Sequence, residues 1–170
     1  FGHPRDLHVR SRRQRQMCIR DRVIRHRHII DSAQAIDFVD FNCNTTTDLG
    51  AGVGMPGIVI AIILKNMKNS MNVHLYEKSY HKSCFLKEVS EKLNLNTKIF
   101  QKNIFEIKNL ETGTIMSRAF KPMPVILDLV FENFSKYKNL IFVMGKSGTK
   151  KFENSKNAWN SEYIEKKSLT

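Results

Sequence analysis

The decapeptide Asp48-Leu49-Gly50-Ala51-Gly52-Val53-Gly54-Met55-Pro56-Gly57 constrains this chain more than any other stretch. It stands between the β-branched Thr45-Thr46-Thr47 and the apolar run Ile58 to Leu64. Its glycines admit positive φ and let a ligand approach the backbone closely. The first turn of a following helix offers free N–H groups to an electron-rich partner. The stretch therefore predicts a strand, a ligand-cradling loop and a helix start, in that order, and so a nucleotide-like cofactor.

Strand and helix signals alternate after this loop. Gly57 or Ile58 to about Met67 reads as a helix buried against a sheet, and Asn72 to Glu77 as a second strand ending in an acid. His81 to Leu93 spaces Phe85, Val89 and Leu93 by four, as an amphipathic helix does. Thr97 to Gln101, Thr114 to Ser117 and Leu140 to Met144 read as further strands. Pro122 to Tyr137 reads as a helix with Ile126, Val130, Phe134 and Tyr137 on one stripe, and Lys150 to Asn160 as one more. Ile29 to Phe41 is a short helix or extended connector. This alternation predicts an α/β, Rossmann-like fold, a mostly parallel sheet with helices on both faces. In such sheets the ligand lies beyond the carboxyl ends of the strands, where strand order reverses.

Composition narrows the classes. The net charge of +12 suggests nucleic acid, but nine of the ten arginines lie at or before Arg27. From Ile29 onward, 18 lysines and one arginine face 14 acids, so the foldable part is mildly basic. Residues 1–22 lack helical or strand periodicity and resemble translated adaptor sequence; a basic RNA-contacting arm is the alternative. The domain proper is taken as 23–170. Cys18, Cys43 and Cys84 form neither a C-x-x-C pair nor metal-ligand spacing. A reducing cytoplasm and no metal are the corresponding expectations; a monomer is expected as well, and no membrane segment, because the longest apolar run is far short of the roughly 20 residues of a spanning helix.

Gly52-Val53-Gly54-Met55-Pro56-Gly57 fits the dinucleotide fingerprint, with Glu77 placed to hold a ribose. The additional Gly50 and the preceding Asp48 give an acid followed by G-x-G-x-G, the arrangement of S-adenosylmethionine methyltransferases, in which the acid faces the cofactor's amino end. A nicotinamide-dependent oxidoreductase would use Gly52, Gly54, Gly57 and Glu77, and a catalytically dead RNA-binding fragment is the third reading. Ile104 and Phe105 read as core, and Arg118 as an ion-pair residue at least as readily as a ligand contact. No Ser-His-Asp or Cys-His arrangement is legible.

Several segments together resemble the small-subunit ribosomal RNA guanine-N7 methyltransferases, the RsmG (GidB) family. They are Arg27-His28-Ile29-Ile30-Asp31-Ser32, the loop ending Met55-Pro56-Gly57, Glu77, Phe85-Leu86 and Ser117-Arg118-Ala119-Phe120. The resemblance implies a class I methyltransferase that uses S-adenosylmethionine on small-subunit ribosomal RNA or the 30S particle. It implies cofactor contacts at Gly50, Met55, Glu77, Ile104, Phe105 and Arg118, which join the Asp48, Gly52 and Gly54 expected from the glycine motif. Lys82, Lys121 and Lys146 would contact RNA phosphates. No residue is assigned a catalytic role beyond an orienting one for Arg118. The family's lysine-glycine pair after the fifth strand stands here as Gly145-Lys146, and its basic pair on the second helix as His81-Lys82. The resemblance also implies a fragment truncated at both ends, with an incomplete sheet.

Overall fold

The computed structural model describes residues 26–145 and 162–169. Five parallel strands make the sheet: β1 (Thr45–Leu49), β2 (Asn72–Tyr76), β3 (Thr97–Phe100), β5 (Thr114–Arg118) and β7 (Asn139–Val143). Their order is β3-β2-β1-β5-β7, so the winding reverses between β1 and β5. Both loops that leave the switch point, after Leu49 and after Arg118, open at the same end of the sheet. Two short strands, β4 (Leu110–Glu111) and β6 (Phe134–Lys136), pair apart from it.

Alternation along each strand divides the core into two layers. Val73, Leu75 and Met116 pack with Ile58, Ile60, Ala61 and Leu64 of α2 (Gly57–Asn66) and Leu86 of α3 (Tyr80–Lys92). Ala35 and Val39 join them from the 3₁₀ turn Gln34–Phe38, which continues helix α1, residues 26–33. Leu49, Tyr76 and Ile115 face the other way, onto Ile126, Leu129 and Val130 of α4 (Met123–Asn133). Each fully buried aliphatic side chain contributes about 1.5–3 kcal/mol. The expected two-faced, Rossmann-like α/β sheet is therefore present.

Differences from the expected elements have local causes. Helix α3 buries Ser83, Leu86 and Ser90; of the expected stripe Val89 packs against the core, whereas Phe85 and Leu93 are exposed. Ser83 Oγ donates to Glu77 O at 2.9 Å, and Ser90 Oγ meets Thr97 Oγ1 at 2.5 Å. Small hydroxyl residues thus let this helix sit close to the strands, a contact that spacing of large apolar residues cannot signal. It stops where Asn94 takes φ +47° and Leu95 N donates to Ser90 O at 2.9 Å, a closure that asparagine tolerates. Helix α4 ends at Asn133 rather than Tyr137, because Phe134–Lys136 straightens to pair with Leu110–Glu111. The expected helix over Lys150 to Asn160 and the basic segment 1–22 lie outside the described residues.

Residues 162–169 run without regular structure, and part of this segment lies along α1 and the 3₁₀ turn. Gln34 Nε2 donates to Lys167 O at 3.1 Å, Leu169 N donates to Gln34 Oε1 at 3.2 Å, and Lys166 pairs with Asp37.

Candidate active site

At the switch point the glycine loop, the end of β2, the 3₁₀ turn Ile104–Glu106 and the loop after β5 surround a cleft of about 670 Å³. That is within the usual range for a small-molecule site. Gly50, Gly52 and Gly54 take φ of +67°, +58° and +92°. A Cβ on Gly50 would come within 2.1 Å of the Phe120 ring, so this glycine is required by close packing. On Gly52 it would meet only Gly50 O at 3.7 Å, leaving the backbone bare toward the cleft.

Glu77, just past β2, is 7 % exposed, and each of its oxygens takes one backbone donor: Gly52 N at 3.0 Å and Ser79 N at 2.8 Å. A carboxylate oxygen has two lone-pair sites, so Glu77 is braced and can still accept from a diol. Ile104 and Phe105 line the same cleft. Their turn is held by buried Asn133, whose Nδ2 donates to Ile104 O at 2.9 Å while its Oδ1 accepts from Lys108 Nζ at 2.7 Å. Tyr76, which also lines the cleft, stacks on Phe100 with ring centres 4.6 Å apart.

Arg118 joins two distant segments. Its Nη1 donates to His28 O at 3.4 Å and Ser32 Oγ at 3.5 Å and touches Met55 Sδ at 4.0 Å, while Nη2 meets His28 Nδ1. Burial, followed by the Arg118 charge, holds the His28 imidazole below its ordinary pKa, against a smaller opposing effect of Asp31. Ala119, the next residue, takes φ +48°, a conformation that directs Phe120 back over Gly50.

Residues 20–170 match the family described as rRNA small subunit methyltransferase G. The chain belongs to the GidB family. It is 58% identical over 151 residues to the ribosomal RNA small subunit methyltransferase G of Pelagibacter ubique, covering 89% of this chain and 71% of that protein. The protein of the same name from Jannaschia sp. is 30% identical over 82% of this chain and 67% of its own length. The Paramagnetospirillum magneticum protein is 27% identical over 85% and 68%.

In this GidB chain the cleft brings together Gly50, Gly52, Met55, Glu77, Ile104, Phe105 and Arg118 of the expected cofactor contacts, and Lys82 and Lys121 of the expected RNA contacts. Asp48 and Gly54 do not line it. Asp48 alternates onto the α2 side of β1, where it is 1% exposed and Oδ2 accepts from Gly57 N at 2.8 Å. Oδ1 is buried without a hydrogen-bond partner. Burial pushes this carboxyl up to about 7, the Gly57 hydrogen bond opposes the rise, and the charge of Glu77 adds to it. A Cβ on Gly54 would strike Ile58 at 2.4 Å, so that glycine serves helix packing. Lys146 lies outside the described residues.

His28, Tyr76, Lys78, Lys102, Asn103 and Phe120 also line the GidB cleft, although none was singled out as a site residue from sequence. Asn133, which supports the Ile104 turn from behind, is legible only once α4 and that turn are seen together. Among the described residues no group of three or more His, Cys, Asp or Glu side chains could hold a metal ion. No helix among them is long and apolar enough to cross a membrane.

Proposed function

We propose that this chain transfers the methyl group of S-adenosylmethionine to N7 of a guanine in small-subunit ribosomal RNA. Its membership of the GidB family removes the oxidoreductase alternative. The observation that carries the cofactor reading is that one cleft holds the braced Glu77, Ile104, Phe105 and a glycine loop with open backbone at Gly52. Glu77 would hold the ribose hydroxyls, Ile104 and Phe105 the adenine, and Gly50, Gly52 and Met55 the remainder. Asp48 acts from beneath, fixing the loop through Gly57 rather than touching the ligand.

S-adenosylmethionine, when bound, supplies an electrophilic methyl on a sulfonium sulfur, and guanine N7 forms the new N–C bond as the S–C bond breaks, the positive charge passing to the base. N7 carries a lone pair and no proton, so the chain needs no general base. Its residues act by positioning, holding N7 in line at roughly 3–3.5 Å, which alone supplies several kcal/mol. Lys78, Lys82, Lys102 and Lys121 line the cleft and present cations to the RNA backbone. Phosphate contacts of this kind fix register and are salt-sensitive.

Calorimetric titration with S-adenosylhomocysteine and then NADH tests the cofactor assignment. Methyl incorporation into small subunits from cells that lack the modification tests the reaction. Binding of S-adenosylhomocysteine alone, with methyl transfer, is expected. RNA binding without cofactor affinity would leave an inert RNA-binding chain and end the proposal. A cytoplasmic location accompanies it, since the substrate is there.

A further inference from the structure

The Arg27 to Ser32 segment is remote in sequence from the glycine loop, yet His28 lines the cleft, through its contact with Arg118. A guanidinium has only donors, so Nδ1 of His28 must accept from Nη2 of Arg118. The imidazole is then neutral, with its remaining proton on Nε2, the nitrogen on the opposite side of the ring. Burial and the neighbouring Arg118 charge favour that neutral form. Among the described residues Nε2 takes no hydrogen-bond partner. Two other polar side chains of the cleft are engaged: Glu77 by the amides of Gly52 and Ser79, and Asn103 by Phe105 N and Glu106. Arg118 Nη1 is spread over His28 O, Ser32 Oγ and Met55 Sδ. Among the described residues His28, held through Nδ1 by Arg118, therefore keeps its Nε2–H uncommitted.

The reacting edge of guanine states what such a donor can do. It carries two acceptors, N7 and O6, whereas adenine places an amino donor beside its N7. A donor on N7 would occupy the lone pair that must attack the methyl. A donor on O6 leaves that lone pair clear and rejects adenine. A neutral N–H also withdraws less electron density from N7 than a cation on O6 would. We propose that His28 reads the target base, its Nε2–H donating to O6 of the guanine whose N7 is methylated, with Arg118 setting the tautomer. This rests on the methyltransferase reading above and adds to it the residue that selects the base.

The test uses the full chain and two RNAs, one with the mapped target guanine and one with 2-aminopurine there, which keeps N7 and lacks O6. Affinity for S-adenosylhomocysteine, thermal melting, and kcat and KM are measured for the unsubstituted chain, His28→Ala and His28→Gln. His28→Ala is expected to bind S-adenosylhomocysteine within about 3-fold of the original. It should lose about 10- to 100-fold in kcat/KM on guanine RNA, the range of one good base contact. The unsubstituted chain should lose a similar factor on 2-aminopurine RNA, and His28→Ala should no longer distinguish the two RNAs. His28→Gln, which retains an amide donor, should recover part of the difference. If His28→Ala still discriminated as strongly as the original, or if cofactor affinity fell in step with transfer, His28 would be a support for Arg118 and the proposal would be overturned. Failure of the unsubstituted chain to bind S-adenosylhomocysteine would sink the methyltransferase reading, and this proposal with it, without involving the variants.

Discussion

The Asp48 carboxylate accepts from the Gly57 amide at 2.8 Å, tying the end of β1 to the first turn of α2 across the whole glycine loop. It holds the cradle's two ends at a fixed separation, from a position with no access to the ligand. The motif acid is therefore expected to act on cofactor affinity through loop geometry.

Asp48→Asn preserves an acceptor for Gly57, while Asp48→Ala leaves that amide without its partner. Asp48→Ala is expected to cost about 1–3 kcal/mol of stability and to weaken S-adenosylhomocysteine binding. Asp48→Asn should stay much closer to the original in both. Chemical denaturation and calorimetry on the two variants check this; equal losses would separate Asp48 from loop bracing.

The same carboxyl makes stability pH-dependent. Its folded pKa of about 7 lies above the ordinary value of 3.8, so the folded state holds the proton more tightly. Its contribution is fully present below pH 3.8 and is lost as pH rises through 7, by roughly 4 kcal/mol at most. Denaturation midpoints should fall between pH 4 and 8 more steeply for the original chain than for Asp48→Asn. Parallel curves would place the titration elsewhere.

Gly50 is fixed by Phe120. Gly50→Ala combines a strained φ of +67° with a 2.1 Å approach to the ring, so a loss of several kcal/mol is expected, with cofactor binding lost. Gly50→Ala with Phe120→Ala removes the clash but not the φ penalty and should regain part of the stability. Thermal melts of the single and double variants decide it; no recovery in the double variant would exclude the ring as the cause.

Ala119 holds φ +48° without glycine's freedom, a conformation that costs an L-residue roughly 1–2 kcal/mol. Ala119→Gly should stabilise by up to about 1 kcal/mol once the added unfolded-state entropy is subtracted, and Ala119→Val should destabilise by more than that. The ordering of their melting temperatures is the measurement.

Asn133 lies behind the Ile104 turn of the cleft. Asn133→Ala would orphan the Ile104 carbonyl, costing about 1–3 kcal/mol, and should lower S-adenosylhomocysteine affinity although Asn133 does not line the cleft. Unchanged affinity in a folded variant would show that the Ile104 turn holds itself.

The parts of this architecture legible in sequence are those written locally. Thr45–Leu49, the glycine loop and Gly57–Asn66 follow from β-branching, glycine and apolar density within a window of about twenty residues. Glu77 follows from its place just after a strand. The side to which Asp48 points depends on the register of β1 between β2 and β5, so its distance from the cleft could not be read from its neighbours. On α3 the spacing of large apolar residues points to Val89 correctly but not to Ser83 and Ser90, where hydrogen bonds replace bulk. His28 and Asn133 act through partners 90 and 29 residues away. Such relationships have no periodicity to betray them.

The clasp of α1 has a consequence for biosynthesis. Its His28 waits for Arg118, and its continuation at Gln34 and Asp37 waits for residues 166–169. The sheet from β1 to β5 can form as those strands emerge from the ribosome. The contacts at Gln34 are completed only when a stretch more than 130 residues later has been made. Translation therefore delivers the sheet and its open cradle first, and the bonds that hold Gln34 only afterwards.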